Sequence, residues 1–260
     1  MMKKVILSPM VFMLSMLWAF SLFSQEFTTN MNSGKIIIKE VNHLTIVGSS
    51  SSTVKMYTDV RNENKDARAE GLKEISPAGI KDNTGMGLSV LEEGNEMEIL
   101  PVSKSQKRRF TLEVPKGVSV YFEHSSEKGG TVKVSNLSSE IEISTNYNSV
   151  ELENVTGPAI INTVYGGIDA TFESIGSEDV TLHSVYSHVD LSVPASAQAS
   201  FLLTSKYGKI LTDLDLTVNT TEGENKMRNL SNTKIMGDLN GGGTSFNIKA
   251  TYSTIYLRKI

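Results

Sequence analysis

Five short stretches of this chain echo one another around a tyrosine. They are Thr145-Asn-Tyr147-Asn-Ser-Val150, Thr163-Val-Tyr165-Gly-Gly-Ile168, Ser184-Val-Tyr186-Ser-His-Val189, Ser205-Lys-Tyr207-Gly-Lys-Ile210 and Ala250-Thr-Tyr252-Ser-Thr-Ile255. The first three tyrosine spacings are 18, 21 and 21 residues, and the last is 45. A near-constant period of roughly 20 residues is the pattern of a solenoid, in which one repeat cannot bury its apolar face alone.

Apolar residues alternate along most of the chain after Lys35, as in Leu44-Thr-Ile46, Met97-Glu-Ile99 and Phe110-Thr-Leu112-Glu-Val114. Period-two alternation means strands with one wet face, and Gly, Asn and Ser between the runs supply turns. The fold expected is therefore all-β: a single-stranded β-helix or solenoid, right-handed by crossover chirality. Residues 25–125 are expected to form a less regular start and 126–260 regular coils.

Within a repeat, Ile141, Ile143, Thr145 and Tyr147 share one parity, and the inward set restarts at Val150. A tight corner after each tyrosine accounts for the shift. Gly166, Gly167 and Gly208 sit where a positive φ is cheap, and Asn148 tolerates the same region. Stacked in register, Tyr147, Tyr165, Tyr186, Tyr207 and Tyr252 form a structural ladder. Their parity points them into the core, where Tyr186→Ala costs ~2–4 kcal/mol. The competing reading is a sugar-binding aromatic platform. A Ser/Thr column at Thr145, Thr163, Ser184 and Ser205 runs beside the ladder and can hydrogen-bond along its length.

The chain opens with Lys3-Lys4 and an apolar run from Val5 to Phe23, and then Ser24. That is the order of a secretory signal peptide over 1–24; an uncleaved single-span anchor is the alternative. Cleavage takes the basic residues from 25 to 23 against 29 acids, so the net charge moves from −4 to −6. An acidic chain is a poor match to nucleic acid. Its one sequence-local basic cluster, Lys104, Lys107, Arg108 and Arg109, reads as the guard of an edge strand. The chain has no cysteine, which excludes disulfides, thiol catalysis, sulfur metal ligands and an acylated lipoprotein cysteine.

Two polar stretches interrupt the pattern, Asn62–Glu74 and Thr217–Asn229; both read as loops, the first with at most two helical turns. His183 and His188 flank Tyr186, and a Ser/His/Asp reading can be drawn with Ser184 or Ser187. Consecutive strand positions do not converge on a cleft, so these histidines are expected to face water. Asp169, Asp190, Asp213 and Asp215 suggest an acidic column, but the glycine-rich calcium repeat is missing. No catalytic, metal or cofactor-binding residue is assigned, and no cofactor is expected.

The chain resembles the adhesins of Gram-negative bacteria built from β-strand repeats, a family commonly filed as a domain of unknown function. The likeness rests on Gly71-Leu72 with Gly79-Ile-Lys-Asp82-Asn83-Thr84-Gly85-Met-Gly87-Leu88, on Val114-Pro115-Lys-Gly117-Val118, and on Tyr147-Asn-Ser-Val-Glu-Leu-Glu-Asn-Val-Thr-Gly157-Pro158. The Val-Tyr-Gly and Val-Tyr-Ser repeats and the Gly-Gly-Gly to Tyr-Leu-Arg ending complete it. The resemblance implies an exported, non-catalytic β-solenoid that binds or scaffolds at the cell envelope, in the periplasm or on the surface. Its partner would be an unidentified glycan or protein, with no lipid anchor. A periplasmic structural or signalling protein with a protein ligand is the alternative, and a carbohydrate-active enzyme a more remote one. Function from fold is analogy.

Overall fold

A computed structural model describes residues 25–58, 68, 71–105, 107–219 and 233–260. The signal peptide expected over residues 1–24, most of Asn62–Glu74 and residues 220–232 lie outside these. The described residues form strands and turns, with no α-helix.

The described residues contain 21 strands. The first nine are β1 (Gln25–Thr29), β2 (Gly34–Lys39), β3 (His43–Ser49), β4 (Val54–Thr58), β5 (Leu88–Glu93), β6 (Glu96–Pro101), β7 (Arg109–Pro115), β8 (Val118–His124) and β9 (Thr131–Ser135). The tyrosine repeats contain β10 (Ile141–Thr145), β11 (Ser149–Glu153), β12 (Ala159–Thr163), β13 (Ile168–Thr171), β14 (Val180–Ser184), β15 (Val189–Val193), β16 (Ala199–Ser205) and β17 (Ile210–Thr212). The chain ends with β18 (Thr217–Val218), β19 (Thr233–Leu239), β20 (Thr244–Ala250) and β21 (Ile255–Lys259).

They build two large mixed sheets. One has ten strands in the order β1-β4-β7-β3-β9-β11-β13-β15-β21-β17; the other has eleven, β18-β19-β16-β20-β14-β12-β10-β8-β2-β6-β5. Read from the same end, the two orders match pair for pair: β6 with β7, β2 with β3, β8 with β9, and so on to β16 with β17. Within this run every neighbour is parallel, and both sheets continue without a break through residue 125. Antiparallel strands close the ends: β5 on β6, β4 on β7, and β19 on β16.

Alternation makes the core. Register aligns Ile99, Ile38, Phe122, Ile143, Ile161, Leu182, Ile248 and Leu203 across eight strands, and every one of these side chains is fully buried. At roughly 25 cal/mol per Å² of apolar surface, one such residue per strand is worth about 1.5–3 kcal/mol. In the absence of any disulfide, these columns and the parallel ladders carry the stability.

Chain order departs from spatial order twice. The pair β20/β21 lies between β14/β15 and β16/β17, although it is last in sequence. At the other end β2/β3 lies between β6/β7 and β8/β9, although it precedes both. The last tyrosine repeat is therefore an inner layer, not an added outer one.

The edge-guard reading of Lys104–Arg109 is corrected. Arg109 opens β7, which is paired with β3 on one side and β4 on the other, so it has no free edge to protect. In the second polar stretch, Thr217 and Val218 form β18 against β19.

Candidate binding surface: a tyrosine ladder

Four of the five repeats turn where a Ser or Thr caps the corner; the fifth has Ala250 there. The Asn148 amide donates to Thr145 Oγ1 at 2.9 Å, the Ser187 amide to Ser184 Oγ at 3.1 Å, and the Gly208 amide to Ser205 Oγ at 3.0 Å. The hydroxyls in turn donate to corner oxygens: Thr163 Oγ1 and Ser184 Oγ to the Gly166 carbonyl, Ser205 Oγ to the Ser253 carbonyl, and Thr145 Oγ1 to Asn148 Oδ1. All four side chains are buried. The Ser184 and Ser205 bonds run along the column to the neighbouring repeat, but they end on backbone carbonyls and do not pass from hydroxyl to hydroxyl. Register would also break a hydroxyl chain, because Ala250 lies between Ser184 and Ser205.

The corner decides where the tyrosine goes. A side chain that bonds the amide three residues on curls the backbone into a turn, and strict alternation ends at Thr145 rather than Tyr147. The rings that parity placed in the core are 44–55% exposed; Tyr147, Tyr165, Tyr186, Tyr207 and Tyr252 stand outside it. Asn148 is buried instead.

The rings do stack. Tyr147–Tyr165 and Tyr165–Tyr186 centroids are 5.1 Å apart, Tyr186–Tyr252 5.0 Å and Tyr252–Tyr207 4.9 Å, with interplanar angles of 21°, 11°, 7° and 11°. Tyr252 comes between Tyr186 and Tyr207 because β20/β21 does. Backbone bonds fix the spacing: the amides of Tyr165, Tyr186, Tyr252 and Tyr207 donate to the carbonyls of Asn146, Val164, Val185 and Thr251 at 2.8–2.9 Å.

The corner glycines answer a steric need, which corrects the expectation of positive φ. None of Gly166, Gly167 and Gly208 is among the residues with positive φ. A Cβ on Gly166 would lie 1.8 Å from the Asn148 carbonyl oxygen, and one on Gly208 1.8 Å from that of Ser253. At these two corners the neighbouring repeat approaches too closely for a side chain, whereas Asn148, Ser187 and Ser253 are accommodated at the other three. The left-handed asparagines stand elsewhere, Asn136 just after β9, Asn154 just after β11 and Asn240 just after β19.

An exposed stack changes the energetics. Tyr186 has two ring partners and Tyr147 one. At about 0.5–1.5 kcal/mol per pair, Tyr186→Ala is expected to cost about 1–3 kcal/mol and Tyr147→Ala about half of that, by urea titration. Equal costs at the two positions would mean that the stack contributes nothing.

The histidines divide into two kinds. His188 is half exposed; its Nε2 lies 3.0 Å from Asp169 Oδ1 and its Nδ1 3.5 Å from Ser187 Oγ. A nucleophile and its base need about 2.6–3.2 Å, and Asp169 is open to water, so the line of three is a surface hydrogen-bond chain. Ser184 is fully buried with its hydroxyl committed. Asp190 is held in a two-pronged contact by Arg258 at 2.8–3.0 Å, and Asp213 accepts the Lys259 amide. No cluster of metal-ligating residues occurs among the described residues.

His124, for which the sequence set no expectation, is buried. Its Nε2 pairs with Asn42 Oδ1 at 2.9 Å, while Nδ1 has no partner; Asn42 Nδ2 donates to the Lys104 carbonyl, so Nε2 carries the proton. The sequence signal was available, because Val118, Val120, Phe122 and His124 share one parity. Burial pushes the His124 pKa down, Glu40 opposes this, and His43 and Lys104 add to it. Burial and then Lys249 lower His183 too. The unfolded chain then binds protons near pH 6.5 while the folded chain still resists them, so stability falls as pH drops through about 6.5 toward the lower folded values. His124→Gln is expected to flatten part of that slope between pH 7 and 5. An unchanged slope would place the titration elsewhere.

No family model matches this chain, and no curated protein matches it. Two solved structures resemble it remotely. One, from Clostridium sporogenes ATCC 15579 and provisionally named a cell adhesion protein, is 13% identical with a TM-score of 0.45, covering 92% of this chain and 100% of its own. The other, from Bacteroides fragilis NCTC 9343 and provisionally named an adhesin, is 12% identical with a TM-score of 0.34, covering 92% and 97%.

Proposed function

We propose that this chain is a non-catalytic, exported β-repeat protein that binds at the bacterial cell envelope or surface, as an adhesin does. Its matched strand pairs are the successive coils of a β-solenoid, and the corners along one edge carry the binding surface. The supporting observation is the tyrosine ladder: five large aromatic side chains, each about half exposed, held at 4.9–5.1 Å intervals by backbone hydrogen bonds. A protein that needed these rings only for its core would bury them. Exposed aromatic residues on a rigid frame supply contact area at low entropic cost.

The test combines location and binding. Fractionated cells are probed for the protein, and purified residues 25–260 are screened against surface glycans, envelope proteins and intact cells. Surface exposure with binding weakened in a Tyr165→Ser/Tyr186→Ser variant is the expected result. A purely periplasmic protein that binds no surface component would remove the reading.

A further inference from the structure

The ladder has a charged end that no stretch of sequence reveals. Thr204 on β16 lies opposite Lys249 on β20 and opposite Lys234 on β19. The three side chains therefore share one outward face, with the lysines about two strand spacings, roughly 10 Å, apart. Two residues beyond Thr204, the Lys206 ammonium sits 5.2 Å from the centre of the Tyr207 ring, and Lys209 follows in the same corner. All four lysines are exposed, and no salt bridge among the described residues involves them. The nearest carboxylate along β19, Asp238, is engaged by Ser200 and Asn219. On a chain of net charge −4, this is a local reversal of sign.

The stack also dictates which part of each ring is offered. Tyr165, Tyr186 and Tyr252 each have a ring partner on both faces, so their exposed surface is rim and phenol hydroxyl. An aromatic rim is the positive part of the quadrupole. It suits oxygen atoms, whereas a flat platform for sugar C–H groups or nucleobases needs free faces. The hydroxyls recur once per strand pair, so the surface is a periodic array some four steps of about 5 Å long. A periodic array is matched by a periodic ligand, and a positive rim ending in four ammonium groups that no salt bridge among the described residues engages is matched by a negative one.

We infer that the tyrosine ladder and the Lys206, Lys209, Lys234 and Lys249 group bind an extended acidic polysaccharide, its chain along the ladder and its carboxylates against the lysines. This rests on the binding role proposed above and names the ligand class. Polymannuronate and neutral β-1,4-mannan share a linkage and differ in the carboxylate, so they are the probes.

The experiment measures binding of residues 25–260 to both polymers by calorimetry across a salt series, with binding to intact cells followed in parallel. Polymannuronate should bind and weaken steeply as salt rises, with neutral mannan at least about tenfold weaker. Lys206→Ala/Lys249→Ala should lose about tenfold for polymannuronate with an unchanged melting temperature. Tyr165→Ser/Tyr186→Ser should lose affinity for polymannuronate, compared at a temperature where it is folded. Equal binding of both polymers, insensitivity to the lysine pair, or equal binding of single-stranded DNA overturns the inference. Cell binding that persists without polymannuronate binding sinks the ligand class and leaves the function standing; absence of all binding sinks both.

Discussion

Phe246→Ala is expected to lower the unfolding free energy of residues 25–260 by about 3–5 kcal/mol. Phe246 is 1% exposed. Its ring stacks on Phe201 at 5.3 Å and meets Phe172 edge-on at 6.0 Å, and its register partners are Val180 on β14 and Phe201 on β16. Truncation removes the largest side chain of β20 from the middle of a sheet, where strands paired on both sides leave little room for collapse into the cavity. Urea titration should show a shifted midpoint with the same slope. A loss below about 1 kcal/mol would mean that β20 does not occupy this inner position.

A larger effect is expected from removing residues 240–260. In a stack whose layers follow chain order, the last repeat has one neighbour, and its loss trims the end. Here the deletion empties a layer between β14/β15 and β16/β17. It strips β14, β15, β16 and β17 of parallel partners and takes Phe246, Ile248, Ile255 and Leu257 from the core. Exposed unpaired edges of parallel strands also invite aggregation. The shortened protein should lose cooperative thermal unfolding and elute as aggregate on size-exclusion chromatography. A monomer melting within a few degrees of the full chain would refute the strand order.

The strands themselves were legible, because alternation is a local property: Ile141-Glu-Ile143-Ser-Thr145 reads as one buried and one wet face, and the structure agrees. Tyrosine stacking was legible from the repeat. The orientation of those rings was not, because the backbone turns at each corner and ends the period-two pattern two residues before the tyrosine, with a side-chain cap as at Thr145 or without one as at Ala250. The glycine corners were visible, but for the wrong cause: carbonyls of a neighbouring repeat, distant in sequence, exclude a Cβ. His124 followed the parity of β8 and was passed over as an isolated histidine. The exchange of layers has no local signal, since β20 carries the same alternation whichever strand lies beside it. The lysine group inherits that opacity, being drawn from residues 206, 209, 234 and 249 by pairings that only the folded chain displays.

That exchange gives the protein an assembly order unlike its synthesis order. When β16 and β17 emerge during synthesis, their permanent neighbours are not yet made, and β14 and β15 are held open until the final residues arrive. Closing such long-range contacts late is slow, since loop entropy is spent before any pairing rewards it. A half-made chain thus stays short of its finished form. Once β20 and β21 slide in they act as a latch, each gripped by parallel partners on both sides.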